Sequence, residues 1–315
     1  MNEFKIGMYI KKRREELGMS QEELCEGLCA VSSLSRIENN QQDPSRNLTK
    51  NLLERLGLPM EKFTAFWNQK DITIGVLMRE IKNDIVQYRQ IPMEDRLQVR
   101  EQIQEKLVEL ETVAAPDDRS IRQFLLAYRA VLGRAEGFYS ARDTLAMELE
   151  AIRLTCPRFD PEDFRQGRYT MDETTLINQI ANSYSEVGEK KRAIDIYRQL
   201  LWYIEKNDKE LAGYARHFCL VAHNYAIELG AGSYYSDAIE IAEQGRKVCL
   251  KYGHYQFLPG FLAIQAACYY FVGEKEKSEQ QYRQAYHVYD AFEDKTNLEI
   301  IRNEMRDYLG IEIDI

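Results

Sequence analysis

Long apolar runs and processing signals are missing from this sequence. No stretch approaches the ~20 apolar residues that a helix needs to cross a bilayer. The first residues, MNEFKIGMYIKKRREELG, carry charge throughout and lack the apolar segment of a signal peptide. We therefore expect a soluble, cytoplasmic protein that has no membrane partner.

Recognisable sites for metals, cofactors and covalent catalysis are also missing. The six cysteines include no CxxC pair, and the four histidines have no spacing that suits a metal ion. The chain contains no glycine-rich phosphate loop, nucleophile motif or zinc-protease motif. We expect no cofactor, no metal and no enzymatic activity, and we interpret the cysteines as small, reduced core residues.

Residues that interrupt helices are scarce. Only 7 prolines and 17 glycines occur among 315 residues, and 44% of the residues are hydrophobic. After Asp71 no segment has convincing strand periodicity, whereas helical periodicity recurs throughout. The sequence therefore predicts an all-α fold.

The first 68 residues contain the signals of four or five short helices. Ser20 and Glu23 form a capping box at the start of the second helix. The predicted helices cover about residues 3–17, 21–28 and 32–38, followed by a fourth that Ser45 caps. Two short helices joined by a tight turn and braced by a preceding helix are typical of helix-turn-helix domains that read DNA.

The run LGMSQEELCEGLCAVSSLSRIENN resembles the Cro/phage-repressor (XRE) family, whose recurrent pattern is SQEELA…(S)xxxISRIENG. The resemblance covers about residues 6–58. It departs from the pattern at Cys25, where alanine is usual, and at a turn about one residue shorter, with Cys29 near the usual glycine. The two cysteines could form a redox pair, but we interpret them as small residues packed where two helices approach. The shorter turn shifts the expected base-contacting positions by up to one residue.

The resemblance implies that the exposed side of the third helix enters the major groove of double-stranded DNA. Arg36 is the strongest candidate for reading a base, because arginine can donate two hydrogen bonds to guanine. Gln21, at the start of the second helix, would donate to a phosphate. The implied DNA-binding residues are Lys12, Arg13, Gln21, Ser32, Ser33, Ser35 and Arg36. The alternative for the basic residues is an ordinary solvated helix face.

Two further residues match a structural pair of the same family. The resemblance implies that Arg14 and Glu38 tie the first helix to the recognition helix. The charge distribution permits DNA binding in this domain. Residues 1–58 are electrically balanced, so the remainder of the chain accounts for the whole net charge of −9. The acidic remainder would confine DNA contact to the N-terminal domain.

Helical periods continue to the end of the chain, with short breaks such as Gly188-Glu189, Gly253-His254 and Gly273-Glu274. The predicted helices cover residues 72–89, 93–113, 118–136, 140–155, 172–187, 190–206, 209–229, 235–252, 257–272, 275–291 and 295–309. Antiparallel helix pairs of this size are typical of a solenoid.

Small and aromatic residues recur at fixed spacing in these helices. Ala181-x2-Tyr184-x8-Ala193-x3-Tyr197 is repeated by Ala266-x2-Tyr269-x8-Ser278-x3-Tyr282-x2-Ala285, and Ala222-x2-Tyr225 begins another copy. The pattern resembles the tetratricopeptide repeat, although the intervals exceed its usual ~34 residues. We expect the tyrosines at these positions to be core residues.

An XRE-type domain (residues 1–68) followed by a repeat domain (residues 69–315) resembles the Rgg/PlcR-like (RRNPP) peptide-responsive regulators. That resemblance implies a homodimer that binds a short signalling peptide on the concave face of its repeats and controls promoters. Asparagine can pair with both peptide donors and acceptors. From the repeat register, the candidate peptide-binding residues are Asn178, Asn182, Arg216, His223, Asn224 and Tyr270.

The roles of these residues have structural alternatives. Asn178 and Asn182 are either a clamp on the peptide backbone or ordinary polar surface residues. Arg216 would pair either with a peptide carboxylate or with a neighbouring glutamate. Two other functions stay open: a regulator whose repeats bind a protein partner, and an anti-activator that interacts with proteins without sensing a peptide.

Overall fold

The computed structural model describes residues 6–60, 69–88, 91, 96–211 and 213–312, and the regular structure within these ranges is helical. The α-helices are α1 (Ile6–Glu16), α2 (Gln21–Cys25), α3 (Val31–Glu38), α4 (Arg46–Arg55), α5 (Gln69–Tyr88), α6 (Arg96–Val113), α7 (Arg119–Ala135), α8 (Ala141–Thr155), α9 (Met171–Glu186), α10 (Lys190–Asn207), α11 (Tyr214–Ala231), α12 (Tyr235–Tyr252), α13 (Leu258–Phe271), α14 (Lys275–Ala291) and α15 (Lys295–Glu304). A 3-10 turn (Tyr255–Phe257) precedes α13, and a π-helical turn (Met305–Leu309) follows α15. The predicted all-α fold is confirmed. The predicted first residues of two helices, 3–5 and 93–95, lie outside the described residues.

The chain divides into two compact units, Met1–Ser183 and Tyr184–Ile315. The first unit contains the helix-turn-helix domain together with α5 to α8 and most of α9, and the second contains the later helical hairpins. The domain boundary predicted after residue 68 lies inside the first unit, so the division after Ser183 does not test it. The boundary stays a prediction.

A small apolar core holds the helix-turn-helix domain together. Ile10 of α1, Leu24 of α2, Leu34 and Ile37 of α3 and Leu52 of α4 have at most 1% of their surface exposed. The predicted capping box forms, because Ser20 Oγ accepts from the Glu23 amide and the Glu23 carboxylate accepts from the Ser20 amide. The predicted cap of α4 also forms, between Ser45 Oγ and the Leu48 amide.

The prediction that the second helix continues to Leu28 is wrong, because α2 ends at Cys25. Gly27 has a left-handed φ of 69°. A Cβ on this residue would lie 1.9 Å from the Thr155 carbonyl oxygen. Both observations require glycine at this position, where the chain turns toward α3.

Repeat packing in the second unit follows the predicted pattern of small and aromatic residues. Ala193, Ala222, Ala266, Ser278 and Ala285 are fully buried, as expected where two helices approach closely. The tyrosines confirmed as buried are Tyr184, Tyr197, Tyr225 and Tyr282, whereas Tyr269 is only half-buried.

The hairpin turns of the second unit share a left-handed residue just before the following helix. Gly188, Ser233, Gly273 and Glu293 all have positive φ. The predicted breaks at Gly188-Glu189 and Gly273-Glu274 coincide with two of these turns. The predicted start of the seventh repeat-domain helix at residue 209 is wrong, because α11 begins at Tyr214 after a turn in which the Leu211 amide donates to the Asp208 carbonyl.

Candidate DNA-reading and peptide-binding sites

The recognition helix α3 exposes one polar face. Leu34, Ile37 and Glu38 are buried on its inner side, whereas Ser32 and Arg36 are exposed. These two residues lie one turn apart, and Arg36 Nε donates to the Ser32 carbonyl oxygen over 3.3 Å. The other predicted residues of this helix, Ser33 and Ser35, are half-buried.

A buried polar network fixes the inner side of α3. Arg14 Nε and Nη2 donate to the two carboxylate oxygens of Glu38 over 2.6 and 2.9 Å. The hydrogen bond with Glu38 raises the pKa of Arg14. The predicted pair between the first helix and the recognition helix is therefore confirmed, and it holds α3 in one orientation.

Gln21 joins the same network, a role that the sequence analysis missed. Its side-chain amide donates to Glu38 Oε2 over 2.7 Å. A phosphate contact by Gln21 stays a prediction, since it requires a second hydrogen bond from the same amide or a rearrangement of this one.

The two basic candidates of α1 differ in their surroundings. Lys12 is exposed. Arg13 is half-buried, where Nε donates to the Leu56 carbonyl oxygen over 3.4 Å and Nη1 to Glu16 over 3.1 Å. Lys12 is thus available to a phosphate, whereas Arg13 also ties α1 to the end of α4.

The two cysteines between α2 and α3 are packed as predicted. Cys25 is buried in the domain core, and Cys29 is half-buried beside it. The amides of Leu28 and Cys29 both donate to the Cys25 carbonyl oxygen, which closes the connection between the helices.

A buried ion pair joins the helix-turn-helix domain to α9 within the first unit. Arg55, at the end of α4, has 3% of its side chain exposed and donates to Glu173, whose side chain has 1% exposed, over 3.0 Å. The same guanidinium donates to the carbonyl oxygens of Leu24, Glu26 and Thr155. Arg55 therefore links α2, α4, α8 and α9 through one charged group, which no local sequence pattern indicated.

A second charged cluster joins the same two helices, α4 and α9, through Lys50 and Asp172. Lys50 Nζ is 2.8 Å from Asp172 Oδ2, and Lys82 of α5 also hydrogen-bonds to Asp172. Burial alone would raise the pKa of Asp172, but the two lysines outweigh this and hold it well below its usual range. Glu54 accepts from the Met171 amide over 2.8 Å at the N-terminus of α9, and its pKa is raised by burial.

The two asparagines proposed to clamp a peptide lie on α9 in the first unit. Asn178 has 4% of its surface exposed, and Asn182 is half-buried. Both interact with other groups of the protein. A clamp formed by these residues would therefore exchange existing contacts for contacts with the peptide.

The other four candidates lie in the second unit. Arg216 is exposed on α11. Farther along α11, the His223 ring packs edge-on against Phe261 of α13 at a centroid distance of 5.8 Å, and His223 hydrogen-bonds to Asn224. Tyr270 stacks on Tyr308, with ring centroids 4.9 Å apart.

Metal and membrane sites are not found in the part of the chain that the structure describes. Within these residues, no group of histidine, cysteine, aspartate and glutamate side chains could hold a metal ion. None of the helices described there combines the length and the apolar character needed to span a membrane.

Two parts of the chain match known families. Residues 10–63 match the helix-turn-helix model, and residues 163–310 match the RNPP family C-terminal domain. No curated protein sequence matches the chain. The resemblances inferred from the sequence are confirmed by these two matches.

The whole fold is similar to that of solved structures. Bacillus thuringiensis PlcR in complex with the peptide PapR7 and DNA gives a TM-score of 0.60 at 20% identity, over 95% of this chain and 99% of that chain. Apo PlcR gives 0.56 at 20% identity, over 96% and 99%. The apo form of the competence regulator ComR from Streptococcus vestibularis gives 0.50 at 18% identity, over 96% and 97%. At these identities the likeness establishes a shared fold.

Proposed function

We propose that this chain, which joins a helix-turn-helix domain to an RNPP family C-terminal domain, is a DNA-binding transcription regulator controlled by a short peptide. Its two matched families have regulatory rather than catalytic character. The PlcR structure of similar fold contains both a peptide and DNA. The repeat helices would bind the peptide, and the N-terminal domain would bind the promoter.

The DNA-binding part of the proposed function rests on one observation: α3 has one buried face and one exposed polar face. Its inner side is fixed by Glu38, Arg14 and Gln21, while Ser32 and Arg36 face outward. A rigid helix with an exposed arginine suits bidentate reading of guanine in the major groove. We place Ser33, Ser35 and Lys12 beside it, on bases or phosphates.

We further propose that the protein works in the cytoplasm as a homodimer. Helix-turn-helix regulators commonly read two half-sites related by the twofold symmetry of a dimer. Such a dimer would select a pseudo-palindromic operator. The peptide-binding residues proposed are Asn178 and Asn182 on α9 and Arg216, His223, Asn224 and Tyr270 in the second unit.

Selection of genomic DNA fragments by the purified full chain tests whether the protein binds a specific DNA site. We expect one pseudo-palindromic site, bound more tightly than random DNA. Arg36→Ala should weaken the binding of that site by about 1–3 kcal/mol, and the matched control Arg198→Ala, an exposed arginine paired locally with Asp195, should change little. Equal, sequence-blind binding by all three proteins would reject the DNA-reading function.

A second experiment separates peptide sensing from partner recruitment. Asn178→Ala/Asn182→Ala should abolish a peptide-induced change in DNA affinity while leaving the basal affinity in place. An unaltered response in this double variant would reject the asparagine clamp. A protein that responds to no peptide but retains specific DNA binding would instead support repeats that bind a protein partner.

A further inference from the structure

The first turn of the recognition helix exposes an apolar side chain. Val31 begins α3 and has 37% of its surface exposed, whereas Leu34 and Ile37 of the same helix are buried in the domain core. In the described part of the helix-turn-helix domain, Met8 of α1 is the one other large apolar residue that is exposed to this degree or more. Single exposed apolar residues are ordinary on protein surfaces, so exposure alone assigns Val31 no role.

The residue that precedes Val31 is apolar as well, where a polar residue would stabilise the helix better. Helices α2 and α4 begin after Ser20 and Ser45, whose hydroxyl groups accept from backbone amides. At the same position before α3, Ala30 is exposed and makes no side-chain hydrogen bond. Alanine is a poor residue for this position. A local choice that disfavours the helix is expected at a functional surface, and here it leaves two adjacent apolar side chains at the start of α3.

Val31 lies beside the residues already proposed to read DNA. Residues four apart are neighbours on a helix surface, so Val31 and Ser35 form one row and Ser32 and Arg36 form the next. Arg36 Nε donates to the Ser32 carbonyl oxygen, which leaves the two Nη groups to donate to guanine. The N-terminal residues of a recognition helix contact base edges. Val31 is one position before Ser32, a shift that the shorter turn before α3 permits.

The chemistry of the valine side chain favours one base. In the major groove, thymine presents a 5-methyl group, whereas the other three bases present polar groups and no methyl. The isopropyl group of Val31 has no donor or acceptor. It can pack against the methyl group, but it would cover the polar groups of another base without pairing with them, which is unfavourable. Val31 should therefore select thymine at the base pair that it meets.

We propose that Val31 contacts the 5-methyl group of a thymine in the DNA site, near the guanine that Arg36 reads. The five-residue step from Val31 to Arg36 covers about 7.5 Å along the axis of α3. Successive base pairs are about 3.4 Å apart, so we expect the thymine about two base pairs from the guanine. The inference rests on the proposed DNA-binding function and specifies one base of the site that this function requires.

Removal of single methyl groups from the DNA tests this assignment. The probe is the DNA site selected by the full chain, synthesised as a set of duplexes in which one thymine at a time is replaced by deoxyuridine. Deoxyuridine keeps the polar groups of thymine and lacks only the methyl. We expect one replacement in a half-site, about two base pairs from the guanine, to weaken binding about fourfold, the effect of one buried methyl group. Cytosine at that position should bind more weakly than thymine, and 5-methylcytosine should restore part of the affinity.

Variants of the protein connect the methyl effect to one side chain. Val31→Ala, which lacks both γ-methyl groups, should bind the thymine and deoxyuridine duplexes with nearly equal affinity. Met8→Ala, the matched control at the other exposed apolar residue, should keep the discrimination of about fourfold. Arg36→Ala should keep it as well and lose the preference for guanine. Val31→Gln can pair with adenine N6 and N7, so site selection with this variant should exchange the thymine and retain the guanine, which shows that the variant is folded.

Three results would overturn the assignment. A wild-type protein that binds every deoxyuridine duplex as tightly as the selected site would reject the methyl contact while leaving specific DNA binding intact. A deoxyuridine effect that persists in Val31→Ala, together with an unchanged site for Val31→Gln, would assign the methyl to another residue. A wild-type protein that selects no DNA site would reject the DNA-binding function itself, and this inference with it.

Discussion

The two compact units connect their helices by different interactions. In the first unit, buried charged pairs join residues far apart in the chain, such as Arg14 with Glu38 and Arg55 with Glu173. In the second unit, ring pairs such as Tyr197 with Tyr225 and fully buried small residues join successive hairpins, and ion pairs such as Arg246–Glu243 link neighbours on one helix.

The difference has a physical consequence for each unit. A buried ion pair is stable only when both partners meet in the right geometry, so it fixes one arrangement of the elements that carry it. Apolar packing between repeats is less directional and tolerates small adjustments. The domain proposed to read DNA is therefore fixed to α9, whereas the surface proposed to meet a peptide is built from groups that can adapt.

The largest expected effect comes from breaking the charged connection in the first unit. Glu173→Ala leaves Arg55 buried without its carboxylate, and we expect a loss of about 3–5 kcal/mol. Hydrogen exchange should show lower protection in α4 and α9 but unchanged protection in α13. The control Glu189→Ala removes an exposed, local pair with Arg192 and should have little effect. Equal loss of protection in both units would contradict a charged connection that acts within the first unit.

A smaller effect with a distinct pH dependence is expected at Asp172. Because its pKa is lowered in the folded protein, the carboxylate contributes stability above the ordinary aspartate pKa, and this contribution is lost as pH falls through the folded value. Asp172→Asn should therefore cost about 1–3 kcal/mol at pH 7, and the difference from the wild type should shrink below about pH 4. Urea unfolding of both proteins, measured at intervals of about one pH unit from about pH 3 to about pH 7, determines this difference. A cost independent of pH would show that the two lysines do not favour the charged form.

The cost of disturbing apolar packing in the second unit should not depend on pH when the neighbouring groups keep their charge. Phe261 is fully buried, and its ring fills the space beside Gly245, where an added Cβ would lie 2.2 Å from Cζ. Phe261→Leu should cost about 1–2 kcal/mol through lost contacts and residual space. The loss should be the same at about pH 8 and about pH 9, where the neighbouring His223 is neutral in the folded and the unfolded chain, and hydrogen exchange should place it in α11 to α13. A marked pH dependence would indicate a charged contribution that the packing does not explain.

Local features of the sequence predicted most of this fold. The helices of the second unit were placed within a few residues, because periodicity and breaks such as Gly273-Glu274 are properties of short segments. The register of Ala222 and Ala266 was also predictable, since close approach of helices requires small residues. Tyr269 departs from the pattern because it is half-buried rather than buried.

The connections between distant segments could not be predicted in the same way. Arg55 and Glu173 are 118 positions apart, and each is an unremarkable charged residue in its own helix. Gln21 has the position of a phosphate donor, yet in the folded domain its amide binds Glu38. Helix α2 ends early because Gly27 approaches the Thr155 carbonyl, a contact that only the tertiary structure creates.

The smallest expected effect concerns how helices begin in the two units. Helices α2, α4, α7 and α8 of the first unit have side-chain caps, whereas α14 begins after Glu274, whose side chain makes no cap hydrogen bond. Asp294 occupies the corresponding position before α15 and accepts from the Asn297 amide. Glu274→Asp should therefore supply the missing cap and raise stability by about 0.5–1 kcal/mol. Thermal unfolding measures the gain, and Glu276→Asp, in the first turn of the same helix, controls for the shorter side chain. A gain in the control alone would show that the start of α14 is not limited by its cap.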